Sequence, residues 1–198
     1  MNNSLPHLQA IFEKLKAGYH LSHEDGPLHT ALVQDFDSYA SYFAAIGMIL
    51  VRHHREFFYF EAEERDAESK SLPKAAVFSY ILIDHIANNQ GRPVEDTLMT
   101  STFSLRGLPH FALDSHRALL RQVEVHEPDD LRGVVNYLER IGWAKWVGFE
   151  EFQFLRPYYR MLEKCLELSR LSSERVDELV PQLADGASTN AGPEEEHA

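Results

Sequence analysis

Eleven histidines and a single cysteine are the side chains of this 198-residue chain that first suggest a metal site or acid–base catalysis. His20, His23 and His29 lie close together in the sequence. Their spacings differ from the i, i+4 pair with which a helix binds a metal, and no second cysteine or nearby acidic partner completes a site. We therefore expect these histidines on the surface or in polar loops, and we predict no metal site.

The remaining nucleophile and acid–base candidates also favour structural roles. Cys165 lies on the apolar stripe of a predicted helix, which favours a small buried side chain over a nucleophile. Asp25, Asp35 and Asp37 fit helix starts and loops better than a pair of general acid and base. The sequence contains no glycine-rich phosphate loop, no G-x-S-x-G and no H-E-x-x-H. We expect neither an enzyme nor a cofactor.

Positively charged side chains in the second half of the chain could contact phosphates. Arg132, Asn136 and Arg140 follow one another at four-residue spacing, away from the apolar stripe of the same predicted helix. Glu139 and the acidic pair at 150–151 would repel a phosphate backbone, and a solvated face of mixed charge is the alternative. We expect weak DNA contact without sequence preference, and the candidates are Arg132, Asn136, Arg140, Lys145, Arg156 and Arg160.

The corresponding helix in the first half of the chain has the opposite charge. Residues 35–45 include two aspartates and no lysine or arginine, so this helix in a DNA groove would bring carboxylates toward phosphates. We predict that it binds protein instead, through exposed aromatic rings among Tyr39, Tyr42 and Phe43. The alternative, which we prefer for Phe43, is that these rings fill the core.

Apolar periodicity predicts the elements that must position these residues. Three amphipathic helices, at 5–17, 28–33 and from 35, precede two short strands at 48–51 and 57–60, which is the order of a winged helix. After a charged segment at 61–71, a helix begins at Pro73, and residues 97–125 are helical in pieces. A helix at 131–141, strands at 143–147 and 152–155, and a helix at 158–169 complete the pattern.

An internal repeat links the two halves. Residues 42–48 (YFAAIGM) align with residues 137–143 (YLERIGW), and the aromatic strands at 58–60 and 152–154 align with nearly the same offset. Both copies give helix, Ile-Gly, strand, tip and aromatic strand, so the sequence predicts a mainly α fold with short β-hairpins, made of tandem winged-helix domains. The predicted segments are an N-terminal winged helix at 1–65, a linker at 66–74, a C-terminal winged helix with extra helices at 75–171 and an acidic disordered tail at 172–198.

The net charge of −12 is unevenly distributed along the chain. Residues 171–198 hold one basic and seven acidic side chains, so this tail carries half of the excess. Residues 92–170 hold 11 basic and 12 acidic side chains and are nearly neutral, so the overall acidity does not exclude work beside DNA. The longest apolar window, 75–87, is too short to span a membrane, and we expect an intracellular, cytoplasmic protein.

Over residues 10–165 the chain resembles the MukE and MksE subunits of bacterial condensins, which are kleisin-interacting tandem winged-helix proteins. Its compact size is closer to that of MksE. The resemblance is carried by GYHL (18–21), DFDSY (35–39), FFYF (57–60), VNYLERIGW (135–143) and FQF (152–154).

This resemblance implies a non-enzymatic, nucleoid-associated homodimer. It would bind a kleisin of the MksF or MukF type and, through it, an SMC-type ATPase (MksB or MukB type) that condenses and partitions DNA. In some such systems an added nuclease subunit acts against plasmids. The second domain is the one that approaches DNA in the family, which implies that role for Arg132, Arg140 and Lys145. A dimeric winged-helix transcription regulator is the competing hypothesis.

Overall fold

The computed structural model describes residues 5–61, 71–89, 91 and 93–167 of the chain, which divides into two compact units, residues 1–161 and 162–198. We refer to residues 5–61 as the N-terminal half of the first unit and to residues 71–161 as its C-terminal half. The described residues of the second unit, 162–167, are helical. The predicted tail at 172–198 lies outside the described residues.

The N-terminal half, which is described throughout, contains the three helices and the hairpin that the sequence predicted. β1 and β2 pair antiparallel with Leu50 opposite Phe60, and Leu21 adds an isolated bridge to Phe58. A 3-10 turn at His23–Asp25 precedes the second helix. The bounds are α1 Leu8–Lys16, α2 Pro27–Gln34, α3 Phe36–Ala45, β1 Leu50–Arg52 and β2 Phe58–Phe60.

Aromatic rings fill the core of this half. Phe43 packs edge-on against Phe60, with ring centres 4.9 Å apart. The partly buried Phe12 stacks on Phe43. Such contacts contribute packing energy in addition to the burial of apolar area. The buried members of the cluster are Ile11, Leu15, Leu21, Ala31, Leu32, Tyr39, Phe43, Leu50, Phe58 and Phe60.

The helices before the two hairpins end in the same way. Gly47 and Gly142 both adopt left-handed backbone angles, with φ of +79° and +76°. The next residues turn back onto the helix, since Met48 N donates to Phe43 O and Trp143 N donates to Leu138 O. This is the Schellman arrangement, in which glycine avoids the cost of a positive φ. Because the turn occupies residue 48, β1 begins at Leu50 and not at 48 as the sequence predicted.

The C-terminal half begins with α4, Ser71–Asn89, which starts earlier than the sequence predicted. Residues 71–74, which we had assigned to the linker at 66–74, are helical; proline is tolerated in a first helical turn because its missing N–H would have no partner there. Residues 66–70 lie outside the described part. Phe78, Ile81 and Ile86 are buried on one broad side of α4, whereas Tyr80 is 53% exposed.

The middle of the C-terminal half is helical in pieces, as predicted, and also contains a strand that the sequence did not indicate. Phe103 pairs with Phe152 and Ser104 with Glu151, so β3 adds an edge to the second hairpin. Two residues are too few to give an alternating pattern. The elements are α5 Val94–Thr100, β3 Phe103–Ser104, 3-10 helices Leu105–Gly107 and Pro109–Phe111, and α6 Asp114–Gln122.

The last part of this half contains the second hairpin. α7, Asp130–Arg140, buries Leu131, Val134, Val135 and Leu138, the stripe that the sequence predicted. β4, Ala144–Trp146, and β5, Glu151–Phe154, follow, and β5 lies between β3 and β4 in the sheet. A 3-10 turn at Arg156–Tyr158 leads into a helical segment that begins at residue 159.

The described chain is therefore mainly helical with two small antiparallel sheets. Its described helices include none that is long and apolar enough to cross a membrane.

Candidate functional site

Three of the six predicted DNA-contact residues point toward the N-terminal half. Lys145 Nζ lies 3.1 Å from both carboxylate oxygens of Glu24, and Arg156 Nη1 lies 3.5 Å from Glu56 Oε2. Arg160 Nη1 lies 3.0 Å from His20 Nε2. These positive groups line the junction of the two halves and do not form one stripe with Arg132 and Arg140.

Two further candidates support the second hairpin. Arg132 Nη1 donates to the carbonyl of Phe149 at 3.0 Å. Its guanidinium lies 5.1 Å from the Trp146 ring centre and 4.9 Å from that of Phe149, which is within cation–π distance. Asn136 Oδ1 accepts a hydrogen bond from Trp146 Nε1 at 3.1 Å. The side chains predicted to contact phosphates thus hold the hairpin against α7.

Arg140 lies beside a cleft between the two halves. Its guanidinium lies 5.3 Å from the ring centre of Tyr137, one turn earlier on α7. The side chain is exposed, and its position at the C-terminal end of the helix favours a positive charge. Arg140 is thus available to a ligand in that cleft.

His20 is the centre of the junction and is buried, which corrects the prediction of a histidine on the surface or in a polar loop. Its backbone N–H donates to Ile141 O at 2.9 Å, and Nδ1 lies 3.2 Å from the same carbonyl. Arg160 donates to Nε2, so Nδ1 carries the proton and the ring is neutral. The residue is only 6% exposed. Its burial depends on a partner 121 residues away in the sequence, which no local pattern could indicate.

Burial, and next the charge of Arg160, lower the pKa of His20 to about 3, although hydrogen bonds to backbone carbonyls oppose the shift. Both ring nitrogens have partners within the chain. A neutral imidazole with so low a pKa is a poor general base near pH 7. His20 therefore joins the two halves structurally.

Gly142 brings the backbone of the C-terminal half against residues 19–20. A Cβ atom at this glycine would lie 2.7 Å from His20 O and 2.9 Å from Tyr19 Cζ. Gly47, its equivalent in the repeat, has no atom within 4 Å of such a Cβ. The second copy of the Ile-Gly motif thus has a packing role that the first copy lacks.

Arg55, at the tip of the first hairpin, makes a second connection to the C-terminal half. Its Nη1 lies 2.8 Å from Glu95 Oε1, and its guanidinium lies 3.9 Å above the ring of Tyr159. A hydrogen bond from Arg55, and then one from Tyr159, lower the pKa of the Glu95 carboxyl. Sequence reasoning missed Arg55 and Glu95, because they are 40 residues apart and belong to no periodic pattern.

The cleft beside this junction has a volume of about 850 Å³. Among the described residues, its charged lining comprises three cations, Lys16, Arg140 and Arg160, and one carboxylate, Glu61. The ends of α1 and α7 and the strand β2 also contribute aromatic rings, which can pack against apolar or planar groups. These rings belong to Tyr19, Tyr59, Phe60 and Tyr137. The arrangement is suited to binding an extended segment that has acidic and apolar side chains.

Comparison with known families shows which proteins this chain is related to. Residues 6–166 match the family model described as condensin complex protein MksE. The chain belongs to the MksE family. The match includes both halves and confirms the resemblance that the sequence motifs indicated. No curated protein matches the sequence.

The motifs that indicated the MksE family meet at the junction. The segment at 18–21 contributes Tyr19 and His20, and the segment at 135–143 contributes Ile141 and Gly142, which contact them. The aromatic segments at 57–60 and 152–154 include the strands β2 and β5. Much of this MksE-like sequence pattern therefore lies in elements that join the halves or build the hairpins.

The tyrosines of α3 have different environments in this MksE-family chain. Tyr39 is fully buried, and its hydroxyl donates to Pro6 O, so it cannot belong to an exposed protein-binding surface as predicted. It occupies the side of α3 that faces the core, together with Phe43, whose burial we preferred. Tyr42 is 46% exposed, and Ile46 and Ile49 beyond it are 52% and 59% exposed.

Groups that could bind a metal or act as nucleophiles are few in the described part of the first unit. No three histidine, cysteine, aspartate or glutamate side chains lying wholly within it bring their ligand atoms together. In the second unit, burial raises the pKa of the Cys165 thiol, which disfavours the reactive thiolate.

Proposed function

We propose that this MksE-family chain is a non-enzymatic accessory subunit of an SMC-type condensin complex. It binds a kleisin subunit of the MksF or MukF type and, through it, an SMC-type ATPase of the MksB or MukB type. The observation that carries this proposal is the family match over both halves of the chain. The subunit acts as a homodimer in the cytoplasm at the nucleoid, in chromosome organisation or, with a nuclease subunit, in plasmid defence.

Each half is proposed to be a winged helix. Both halves place a glycine-capped helix directly before an antiparallel hairpin, and the hairpins pair in the same register, with Leu50 opposite Phe60 and Ala144 opposite Phe154. In this proposal α3 and α7 are the third helices of the two domains. Residues 66–70 lie in the segment that connects the domains.

Direct DNA contact is proposed to be weak and independent of sequence. Lys145 and Arg156 are paired with carboxylates, and Arg160 is bound to His20. A phosphate would have to displace these partners. Arg132 and Arg140 remain as candidates, and two phosphate contacts predict a slope of about −2 for log K against log salt concentration. A transcription regulator would show a steeper slope and strong preference for one sequence.

The cleft is the proposed binding site for the kleisin segment. The described residues that line it bring three cations and one carboxylate together in a chain of net charge −12. An extended acidic segment gains ion pairs there and can pack apolar side chains on Tyr59 and Tyr137. We therefore expect charge reversal at Arg140 to weaken kleisin binding.

Affinity purification of the tagged chain from its native cell tests the proposed function. We expect recovery of a kleisin and a coiled-coil ATPase; recovery of neither would refute it. With the recovered kleisin, Arg140→Glu should raise the Kd at least about tenfold, which is typical of a strong interface contact. Arg121→Glu is the matched control, because Arg121 is an exposed arginine that does not line the cleft. Equal Kd values for the two variants would exclude the cleft as the kleisin site.

DNA titrations test the nucleic-acid part separately. Arg132→Glu together with Arg140→Glu should weaken DNA association of the purified chain without its partners, and the wild-type chain should bind specific and random duplexes alike. A strong shift of one short duplex over random DNA would favour the transcription regulator.

A further inference from the structure

The second hairpin ends in an exposed aromatic ring. Phe149 is 85% exposed, which is the highest value among the large hydrophobic side chains of the described residues, and the neighbouring Val147 is 45% exposed. Solitary surface hydrophobic residues are common and need no partner. What distinguishes Phe149 is how firmly its loop is held.

Hydrogen bonds fix this tip from three directions. Within the hairpin, the backbone N–H groups of Val147 and Gly148 donate to Glu151 O at 2.9 and 3.2 Å. From α7, Arg132 donates to the carbonyl of Phe149 and lies against its ring. From the 3-10 helix Leu105–Gly107, the backbone N–H of Leu105 donates to Glu150 O at 2.9 Å.

An exposed ion pair lies beside these contacts. Arg106 Nε lies 2.8 Å from Glu150 Oε2. A ring held in place before binding loses little conformational entropy when a partner covers it, and aromatic side chains are prominent among interface residues that dominate affinity. The tip therefore has the properties of a preformed anchor.

We infer that Phe149 inserts into an apolar pocket, bordered by lysine or arginine, on a different protein. The inference rests on the proposed function in one respect, because the partner would be another subunit of the complex. The basic border follows from charge: Glu150 is already paired with Arg106, but the exposed Glu151 follows two residues after Phe149, and opposite charges at the rim of an interface favour association.

The same charges disfavour two other occupants of this surface. The exposed carboxylate of Glu151 would face the phosphates of DNA at this tip. A second copy that met this tip with its own tip would bring two Glu151 carboxylates together. A positively charged partner protein avoids both costs.

Site-specific photocrosslinking identifies the partner in the native cell. The full-length chain carries p-benzoylphenylalanine at position 149 or, as the matched control, at position 113, since Leu113 is also an exposed apolar residue, at 54%. We expect position 149 to crosslink to one protein, at an apolar segment with neighbouring lysine or arginine. A crosslink to DNA or to a second copy, or none stronger than at position 113, would overturn the inference.

Affinity measurements with the purified crosslinked partner then test the role of the ring. Phe149→Ala should raise the Kd by ten- to a hundredfold, the range of an interface hot spot, while Phe149→Leu retains most of the affinity and Leu113→Ala has no effect. Glu151→Gln should reduce the salt dependence of association. Equal Kd values for wild type and Phe149→Ala would refute the anchor, whereas a partner that is neither kleisin nor ATPase would refute only its place in the complex.

Discussion

The tip of the first hairpin, residues 53–56, contacts the C-terminal half, whereas the tip of the second, residues 147–150, ends in an exposed ring. Arg55 and Glu56 in the first tip pair with Glu95 and Arg156. In the second tip, Arg132 of α7 donates a hydrogen bond to the carbonyl of Phe149. The same repeat thus gives one hairpin that joins the halves of the molecule and one that is available to a partner. The composition of the tip distinguishes the two hairpins, because the first tip is polar throughout and pairs with the C-terminal half, whereas the second carries the exposed Phe149.

The largest expected difference between the hairpins is in the phenyl rings beside their tips. Phe57 is fully buried and Phe149 is 85% exposed. Phe57→Ala should reduce the free energy of unfolding by about 3–5 kcal/mol, since it leaves a cavity in the core. Phe149→Ala should change it by less than about 0.5 kcal/mol, as is usual for exposed sites. Urea unfolding of both variants measures the difference; a large loss for Phe149→Ala would mean that its ring is structural.

The two capping glycines distinguish the halves next. Alanine at either position adopts a left-handed backbone, which costs about 1–2 kcal/mol. Gly142→Ala also places a methyl group against His20 O and Tyr19, and overpacking adds about 1–3 kcal/mol. Gly47→Ala is the matched control with open space around it. Denaturant unfolding measures the loss of unfolding free energy for each variant. Equal losses would mean that the residues packed around Gly142 move to accommodate the added methyl group.

These comparisons also indicate what the sequence could predict. The repeat and the apolar stripe of α7 predicted both hairpins and the core of the C-terminal half, because helix and strand periodicities are local. The environments of Lys145 and His20 were not predictable, since each has its partner 121 residues away. In the sequence Lys145 and Arg156 resemble phosphate-binding groups, but the other half of the chain supplies a carboxylate to each. The strand β3 was missed because two residues show no alternation.

Acid titration should reveal the buried histidines. Burial is the largest cause of the low pKa values of two histidines. The pKa of His20 is lowered to about 3 and that of His110 to about 4. The unfolded chain, with histidine pKa values near 6.5, then binds more protons than the folded chain, so stability is full above pH 6.5 and falls as the pH decreases toward the folded values. Each histidine should lower the free energy of unfolding by about 2 kcal/mol between pH 7 and pH 5.

The histidine variants distinguish the contribution of the junction to the pH dependence from that of the core of the C-terminal half. His20→Gln and His110→Gln should each remove part of the pH dependence of the unfolding free energy, and the double variant should remove both parts. The slope between pH 7 and 5 is compared, because it does not depend on how much each substitution destabilises the chain at pH 7. A slope unchanged in His20→Gln would mean that the ring is exposed in solution and that the halves separate there.

The smallest expected effect compares the ion pairs at the two tips. In double-mutant cycles, Arg55→Met with Glu95→Gln measures the pair of the first hairpin, and Arg106→Met with Glu150→Gln measures that of the second. Both pairs have an N–O distance of 2.8 Å, but the Arg106 side chain is 82% exposed and that of Arg55 only 33%. Solvent screening should hold the second coupling energy near zero, while the first should be about 0.5–1 kcal/mol. A coupling energy between Arg106 and Glu150 as large as that between Arg55 and Glu95 would mean that both hairpin tips are held equally firmly. The tip that carries Phe149 would then be more rigid than its exposure to solvent indicates.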